Sequence, residues 1–318
     1  MRVVVTGAGG FIGGAVARHL RSRGDTVVAL VRDPDRTASL AADGVELVPD
    51  DLSDVERLTA LLHGADAAIH VAGSYRVGIP RSEHGAMWDA NVGTTTRLLD
   101  AAEAAGTRRL VYVSTVNVFG NTQGGVVDES YRRDLAAGFL SWYDETKYGA
   151  HEVAEQRAAA GAPVIIVLPS QVYGPGDHSA FGNQLRRAHA GNLTIRALDD
   201  VGVGLVHVDD LAAGIVAALD RGEPGRSYVL SGPTTTLAEA IEVAARIGGR
   251  RPPRFRVPTG LIRAVARVAR LAGRPGLREL VDASAGVTYW ASAARATKEL
   301  GFRARPIEDG LRDTFGSA

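Results

Sequence analysis

Two kinds of hydrophobic sequence pattern alternate along the first half of the chain. Short runs of β-branched and other apolar residues, without a polar face, are separated by longer segments in which apolar residues recur at helical spacing. Strands that are apolar on both faces are typical of a parallel sheet covered by helices on both sides. The pattern predicts six such strands, at Val3–Thr6, Thr26–Val31, Val45–Val48, Ala67–Val71, Leu110–Ser114 and Val164–Leu168.

The segments between these strands predict helices that end at a glycine, the residue favoured just after a helix. The predicted helices are Gly10–Arg23, Ser53–His63, His84–Ala105 and Trp142–Ala160. After Pro169 the regular alternation ends, and short strands are interleaved with helices predicted at Asp210–Leu219, Leu237–Ile247 and Pro258–Leu271. The chain therefore divides into a regular first half and a less regular second half.

Composition excludes several classes of protein. The 318 residues include 36 Lys and Arg against 36 Asp and Glu, so the basic field that nucleic-acid binding requires is missing. No uncharged apolar run approaches the roughly 18 residues of a membrane-spanning helix. Cysteine is absent, which removes disulfides and thiolate ligands, and we expect no metal site. The apolar stretch after Met1 is too short for a signal peptide, so we expect a cytoplasmic protein.

A glycine-rich turn follows the first predicted strand and opens the first helix. Gly7 permits a tight turn, Gly10 lets backbone N–H groups of Phe11 and Ile12 approach a pyrophosphate, and Gly13 allows close packing of helix on sheet. This context predicts a Rossmann-type, doubly wound parallel sheet of class α/β. We place the dinucleotide-binding domain at 1–169 and a smaller, discontinuous substrate-binding region at 170–318, with 203–220 returning to the first domain.

Residues at the ends of later strands suggest which dinucleotide binds. Arg32 ends the second strand, where an NAD site usually has an acidic residue, and Arg36 follows one helical turn later. Guanidinium groups suit a ribose 2′-phosphate, so we expect NADP(H) in preference to NAD(H). After the third strand, Asp51 could bind the adenine amino group or cap a helix, and Leu52 could cover the ring.

The fourth strand ends with small residues. Val71, Ala72 and Gly73 are expected to pass close beneath a dinucleotide backbone, and we interpret His70, just before them, as a core residue.

Tyr143 and Lys147 are four residues apart and therefore share one face of a helix. The chain has eight Tyr but only two Lys, so about 0.05 such pairs are expected by chance. A nearby cation favours the phenolate and is expected to bring the pKa of the tyrosine closer to neutrality. Ser114 and Thr115 end the fifth strand, where ligands of open α/β sheets bind, and either hydroxyl could hold a substrate oxygen.

Together these segments resemble the extended short-chain dehydrogenase/reductase family, in the NAD-dependent epimerase/dehydratase superfamily. The resemblance spans most of the chain, on the segments Thr6–Gly13, Asp51–Leu52, Val71–Gly73, Asn91–Thr94, Tyr143–Lys147, Val172–Asp177, His207–Leu211 and Ala293–Gly301. It implies that Tyr143 is the general acid/base, that Lys147 is its partner, and that Thr115, five residues before Gly120, binds substrate, with Ser114 as the alternative.

The resemblance also implies roles for three further parts of the chain. Asn91 is expected to hold a water or a backbone contact near the site, and Pro169 to lie beside the nicotinamide. A homodimer is expected through the helices holding Asn91–Ala105 and Tyr143–Ala160.

Departures from the sequence patterns of particular branches of the family narrow the range of expected functions. Thr115-Val116-Asn117 lacks the acid pair of sugar-nucleotide dehydratases, and Arg32 and Ser170-Gln171 depart from NAD-dependent epimerases. The segment Val31–Pro34 is similar to dihydroflavonol-reductase-like carbonyl reductases, which use NADPH. We therefore expect NADP(H)-dependent reduction of a ketone or aldehyde, or oxidation of the alcohol. The alternatives are an NAD-dependent epimerase of a nucleotide-activated sugar and a non-catalytic NADP(H)-binding sensor.

Overall fold

A seven-stranded parallel sheet forms the centre of the molecule. The computed structural model describes residues 1–271 and 275–316. The strand order is β10-β6-β5-β4-β1-β2-β3, the doubly wound arrangement expected from the sequence. The strands are β1 Arg2–Thr6, β2 Thr26–Val31, β3 Glu46–Pro49, β4 Ala67–His70, β5 Leu110–Val113, β6 Val164–Pro169 and β10 Ser227–Leu230.

Thirteen α-helices occur in the described ranges 1–271 and 275–316. They are α1 Phe11–Ser22, α2 Ala38–Ala42, α3 Val55–Leu62, α4 His84–Trp88, α5 Thr94–Ala104, α6 Trp142–Ala159, α7 Ala180–His189, α8 Val208–Arg221, α9 Leu237–Ile247, α10 Thr259–Leu271, α11 Pro275–Asp282, α12 Ala294–Leu300 and α13 Ile307–Phe315. No helix of the described residues is long and apolar enough to span a membrane.

The apolar strands bury both of their faces, which accounts for their lack of a polar face. Val3 and Val5 pack into one core layer, with α1 and α8, while Val4 packs into the other, with α3, α5 and α6. Alternate residues of a strand point to opposite faces, so a strand between two helical layers must be apolar throughout.

The predicted helix His84–Ala105 is interrupted in the structure. A π-helical turn, Asp89–Gly93, separates α4 from α5 and contains the buried Asn91. The threonines that follow add hydrogen-bond donors to this wider turn, since the hydroxyls of Thr94 and Thr95 donate to the carbonyl oxygens four residues earlier, at 2.8 and 2.7 Å. π-Turns of this kind occur frequently at functional sites.

The second half of the chain contributes to two layers. Strands β7 Gln171–Tyr173, β9 Gly202–His207 and β11 Thr234–Thr236 form a small sheet, and β8 Ile195–Arg196 pairs with β12 Phe255–Arg256. By contrast, β10 completes the large sheet beside β6, and α8 packs on α1. Within 203–220, the helical part therefore lies on the large sheet, whereas the strand pairs with β7 and β11.

Candidate functional site

The glycine turn after β1 is tight enough to require glycine at two positions. Gly7 has φ +72°, and a Cβ there would lie 2.6 Å from the backbone nitrogen of Ala72. A Cβ on Gly13 would lie 2.2 Å from the carbonyl oxygen of Gly7. The turn is thus packed against Val71 and Ala72, two of the small residues that follow β4.

The first turn of α1 presents free N–H groups at this edge of the sheet. Gly10 is the N-cap and supplies no capping side chain, while its own N–H is used in a 3.0 Å bond to Gly7. Among the backbone hydrogen bonds of the described residues, none uses the N–H of Phe11, Ile12 or Gly13. Such a helix start attracts anions, because the unpaired N–H groups and the helix dipole both favour negative charge.

Two guanidinium groups lie in the open beyond β2. Arg32 and Arg36 are exposed, and neither forms an ion pair within the part of the chain that the structure describes. The carboxylate of Asp33 accepts from the backbone N–H of Asp35 and Arg36 at 3.2 and 3.4 Å, which orders the turn that carries Arg36. Both arginines are therefore available to an anionic ligand.

Asp51 and Leu52 form a strained turn after β3. Leu52 has φ +63° and is 6% exposed, and its carbonyl oxygen accepts from Arg97 Nε at 2.7 Å. Hydrogen bonds from the hydroxyl and backbone N–H of Ser53 lower the pKa of the Asp51 carboxyl. The alternative that Asp51 caps a helix is wrong, because Asp54 is the N-cap of α3.

Tyr143 and Lys147 lie in the first turns of α6. Ser141 caps this helix, its hydroxyl accepting from the N–H of Asp144 at 3.0 Å. The side chain of Lys147 is directed to β5, where Nζ donates to the carbonyl oxygen of Val113 at 3.2 Å and lies 3.4 Å from the hydroxyl of Tyr112. Burial lowers the pKa of Lys147 to about 8.

The expectation that a cation lowers the pKa of Tyr143 is not met in this structure. Burial raises the pKa of the phenol, the neighbouring Tyr75 and Tyr112 raise it further, and hydrogen bonding to Thr115 offsets only part of this. The physical reason is that moving a phenolate out of water costs more free energy than its interactions with the surrounding dipoles recover. Tyr143 is therefore held in its neutral, proton-donating form.

The hydroxyls of Ser114 and Thr115 have different surroundings. Thr115 is the neighbouring hydroxyl that lowers the pKa of Tyr143, and its Oγ1 contacts Asn117, donating to Oδ1 at 3.1 Å and accepting from the N–H at 3.2 Å. The hydroxyl of Ser114 instead lies 3.1 Å from His151 Nδ1. Only Thr115 is thus positioned beside the phenol.

Asn91 joins two parts of the site. Its Oδ1 accepts from the N–H of Ser74 at 2.7 Å, and its Nδ2 donates to Ser74 O at 3.1 Å and to Thr146 Oγ1 at 2.8 Å. Asn91 is 2% exposed. The side chain therefore fixes the loop after β4 against α6.

Pro169 and His70 complete the edge of the sheet. Pro169 ends β6, the neighbour of β5, and is buried in register with Leu230. His70 bonds Thr6 Oγ1 at 2.7 Å and Thr95 Oγ1 at 3.1 Å, and burial lowers its pKa to about 3. His70 is thus a neutral core residue, as expected.

Three nearby groups were not singled out from the sequence. The ring of Tyr75 packs edge-on against Tyr143, with centroids 4.7 Å apart. Glu279 on α11 accepts from the backbone N–H groups of Gly78 and Trp142, which ties α11 to both sides of the site. His151 does carry a sequence signal, since it lies four residues beyond Lys147 on the same helix face.

Comparisons with known proteins agree with this geometry. The model of the NAD dependent epimerase/dehydratase family matches residues 3–231. A Synechocystis sp. protein provisionally named dihydroflavonol 4-reductase is 31% identical, over 97% of this chain and 92% of its own length. The 2-alkyl-3-oxoalkanoate reductase of Shewanella oneidensis is 27% identical, over 97% of this chain and 84% of its own.

A solved structure shows the same architecture. The dTDP-glucose 4,6-dehydratase DesIV of Streptomyces venezuelae, a double mutant with NAD bound, has a TM-score of 0.79 and 25% identity, covering 99% of this chain and 96% of its own. The family match, the parallel sheet and the glycine turn point to an enzyme that uses a pyridine nucleotide. The chain therefore belongs to the NAD dependent epimerase/dehydratase family.

Proposed function

We propose that the protein is an NADP(H)-dependent oxidoreductase that reduces a ketone or aldehyde, or oxidises the corresponding alcohol. The observation that carries this proposal is the neutral phenol of Tyr143 beside the hydroxyl of Thr115, at the edge of the sheet that also holds the glycine turn. Support comes from two relatives whose names describe reductases.

The residues present fit a dinucleotide. Gly7 and Gly13 allow a turn so tight that a Cβ at either position would collide with backbone atoms, and the free N–H groups of Phe11 and Ile12 suit a pyrophosphate. Arg32 supplies an unpaired guanidinium for a 2′-phosphate, which favours NADP(H) over NAD(H). When bound, the reduced cofactor supplies the hydride.

Side chains of the protein then bind the substrate oxygen and supply the proton. Thr115 orients the substrate oxygen by a hydrogen bond, and Tyr143 donates its phenolic proton to that oxygen as negative charge develops. The ammonium of Lys147 stabilises the phenolate that remains, because opposite charges attract strongly where water is excluded. Positioned proton transfer of this kind contributes about 10²–10⁴-fold to rate.

The second candidate is an NAD-dependent epimerase of a nucleotide-activated sugar. It is favoured by the structural likeness to the dTDP-glucose dehydratase and by the name of the family. Arg32, at the end of β2, argues against it. A non-catalytic NADP(H) sensor would have no use for the acid/base group Tyr143 beside Lys147.

Turnover of a panel of carbonyl compounds and sugar nucleotides, with NADPH and with NADH, tests the proposal. We expect NADPH-dependent reduction of free ketones or aldehydes, and Tyr143→Phe should lower kcat by about 10²–10⁴-fold while NADPH binding is retained. Tyr148→Phe, on the same helix but outside the site, is the matched control. Full activity of Tyr143→Phe, or sugar interconversion at a rate matching any carbonyl reduction, would contradict the proposal.

A further inference from the structure

One face of α6 carries four ionisable side chains at four-residue spacing, namely Tyr143, Lys147, His151 and Glu155. Residues four apart lie above one another along a helix. The proposed reaction uses the first two. His151, although 6% exposed and adjacent to Lys147 on this face, has no part in that reaction.

The His151 ring joins a buried hydroxyl to the protein surface. Its Nδ1 lies 3.1 Å from Ser114 Oγ, and its Nε2 lies 3.4 Å from the carboxylate of Glu155. The side chain of Glu155 is 31% exposed, and it lines, together with His151, Arg132 and Glu152, a cleft that is open to solvent. The Glu155 end of this set of contacts is therefore exposed to solvent.

The other end reaches Lys147 through Tyr112. Tyr112 lies on β5 and Ser114 directly follows the last residue of this strand, and alternate residues of an extended chain project from the same face. Burial raises the pKa of the Tyr112 phenol, and the neighbouring hydroxyls of Thr95 and Ser114 partly offset this. The Tyr112 hydroxyl is 3.4 Å from Lys147 Nζ. Polar groups thus follow one another from the cleft to the lysine.

Lys147 needs such a connection because it is nearly enclosed. It is 8% exposed, and its Nζ contacts the carbonyl oxygen of Val113 and the hydroxyl of Tyr112. Each reduction in the proposed reaction consumes the phenolic proton of Tyr143. When the Lys147 ammonium returns a proton to the phenolate, the neutral amine that remains must be protonated again from water. A proton crosses a packed interior only along hydrogen-bonded groups.

We propose that Glu155, His151, Ser114 and Tyr112 form a proton relay that carries protons from the surface cleft to Lys147. A proton from water passes through Glu155 to Nε2 of His151, which releases its Nδ1 proton to Ser114. Ser114 passes its hydroxyl proton to Tyr112, and Tyr112 passes its phenolic proton to the neutral amine of Lys147. Each hydroxyl is regenerated as it donates, so that one proton leaves water and one ammonium forms.

The use of the relay in turnover rests on the proposed function, but the proton path itself does not. A second histidine provides an internal control, since the His70 ring stacks on Tyr112 and its Nε2 lies 3.1 Å from Thr95 Oγ1, a hydroxyl that neighbours Tyr112. His70 is 1% exposed, and its other nitrogen ends on the buried Thr6. The contacts of His70 therefore lead into the core and do not connect Tyr112 to solvent.

The chain contains only two lysines, so lysine labelled with ¹⁵N gives separate NMR signals for Lys147 and the exposed Lys298. The exchange rate of the Nζ protons with water is measured in the cofactor-free protein. We expect His151→Phe to slow exchange at Lys147 by about 10²-fold, the lower end of the effect of a positioned proton transfer, and to leave Lys298 unchanged. His70→Gln and Glu152→Gln, matched controls, should leave both rates unchanged.

Two further variants keep the test decisive if His151→Phe disturbs the fold. Ser114→Ala removes the central hydroxyl with little change in volume and should also slow exchange at Lys147. In His151→Ala, added imidazole should restore the exchange rate, whereas pyrrole, which fills the same space without a basic nitrogen, should not. Unchanged exchange at Lys147 in folded Ser114→Ala and His151→Phe would overturn the relay.

The role of the relay in catalytic turnover is measured in a separate experiment. If a carbonyl substrate is found, His151→Phe should lower kcat with NADPH and leave KM unchanged. Slowed exchange with unaltered kcat would overturn the catalytic use of the relay alone. Failure to find any substrate would count against the proposed function and would leave the NMR result standing.

Discussion

Replacing Lys147 with methionine measures the cost of burying this ammonium. Lys147 is 8% exposed, and burial lowers its pKa from 10.5 to about 8. At about 1.4 kcal/mol per pKa unit, the charged form is disfavoured in the folded state by about 3 kcal/mol. Methionine has a similar length and no charge, so it removes this cost, but it also removes the contacts to Val113 and Tyr112, worth about 1 kcal/mol each.

The sign of the effect depends on pH. Between pH 8 and 10.5 the unfolded chain keeps the Lys147 proton while the folded chain loses it, so the wild-type free energy of unfolding rises with pH in this window. Below pH 8 the cost is fully present. We therefore expect Lys147→Met to be more stable than wild type by about 1 kcal/mol at pH 7, and less stable by about 1–2 kcal/mol near pH 10.

Urea denaturation of both proteins at pH 7 and pH 10 provides the measurement. Lys298→Met, at an exposed position, is the control and should change stability by less than about 0.5 kcal/mol at either pH. A difference between Lys147→Met and wild type that stays constant across this range would refute the reasoning. Loss of stability at both pH values, but larger at pH 10, would show that the contacts of the ammonium outweigh the cost of its burial.

Three further predictions concern the cofactor turn and the loop after β4. Arg32→Asp should make NADH bind more tightly than NADPH in a fluorescence titration, and equal affinities in the parent protein would contradict the role of Arg32. Gly13→Ala places a Cβ 2.2 Å from Gly7 O and should weaken both nucleotides, by calorimetry, at least about tenfold, or 1.4 kcal/mol. Asn91→Leu leaves the N–H and C=O groups of the half-buried Ser74 without this partner and should lower the free energy of unfolding by about 1–3 kcal/mol in urea, unlike the exposed control Asn192→Leu.

The large sheet could be predicted from the sequence because its signals are local. Each of the six predicted strands lies within one residue of the observed one at either end, since residues buried on both faces must be apolar whatever covers them. The strand β10 was missed, because Ser227–Leu230 is short and lies within the irregular half. The π-turn at Asp89–Gly93 was also missed, as its residues continue a helical pattern.

The sequence by itself determined those parts of the site that one element forms alone. The glycine turn follows from the spacing of Gly7, Gly10 and Gly13 between a strand and a helix, and Tyr143 and Lys147 share one face of a helix because four residues span about one helical turn.

Only the tertiary structure decided how separate elements meet at this site. It placed Thr115, and not Ser114, beside Tyr143, and it gave Asn91 partners on both the loop after β4 and α6. It also reversed the expected direction of the pKa of Tyr143. The reason is that burial and hydrogen bonding depend on residues from distant parts of the chain, whose approach is set by the packing of helices on the sheet and not by local spacing.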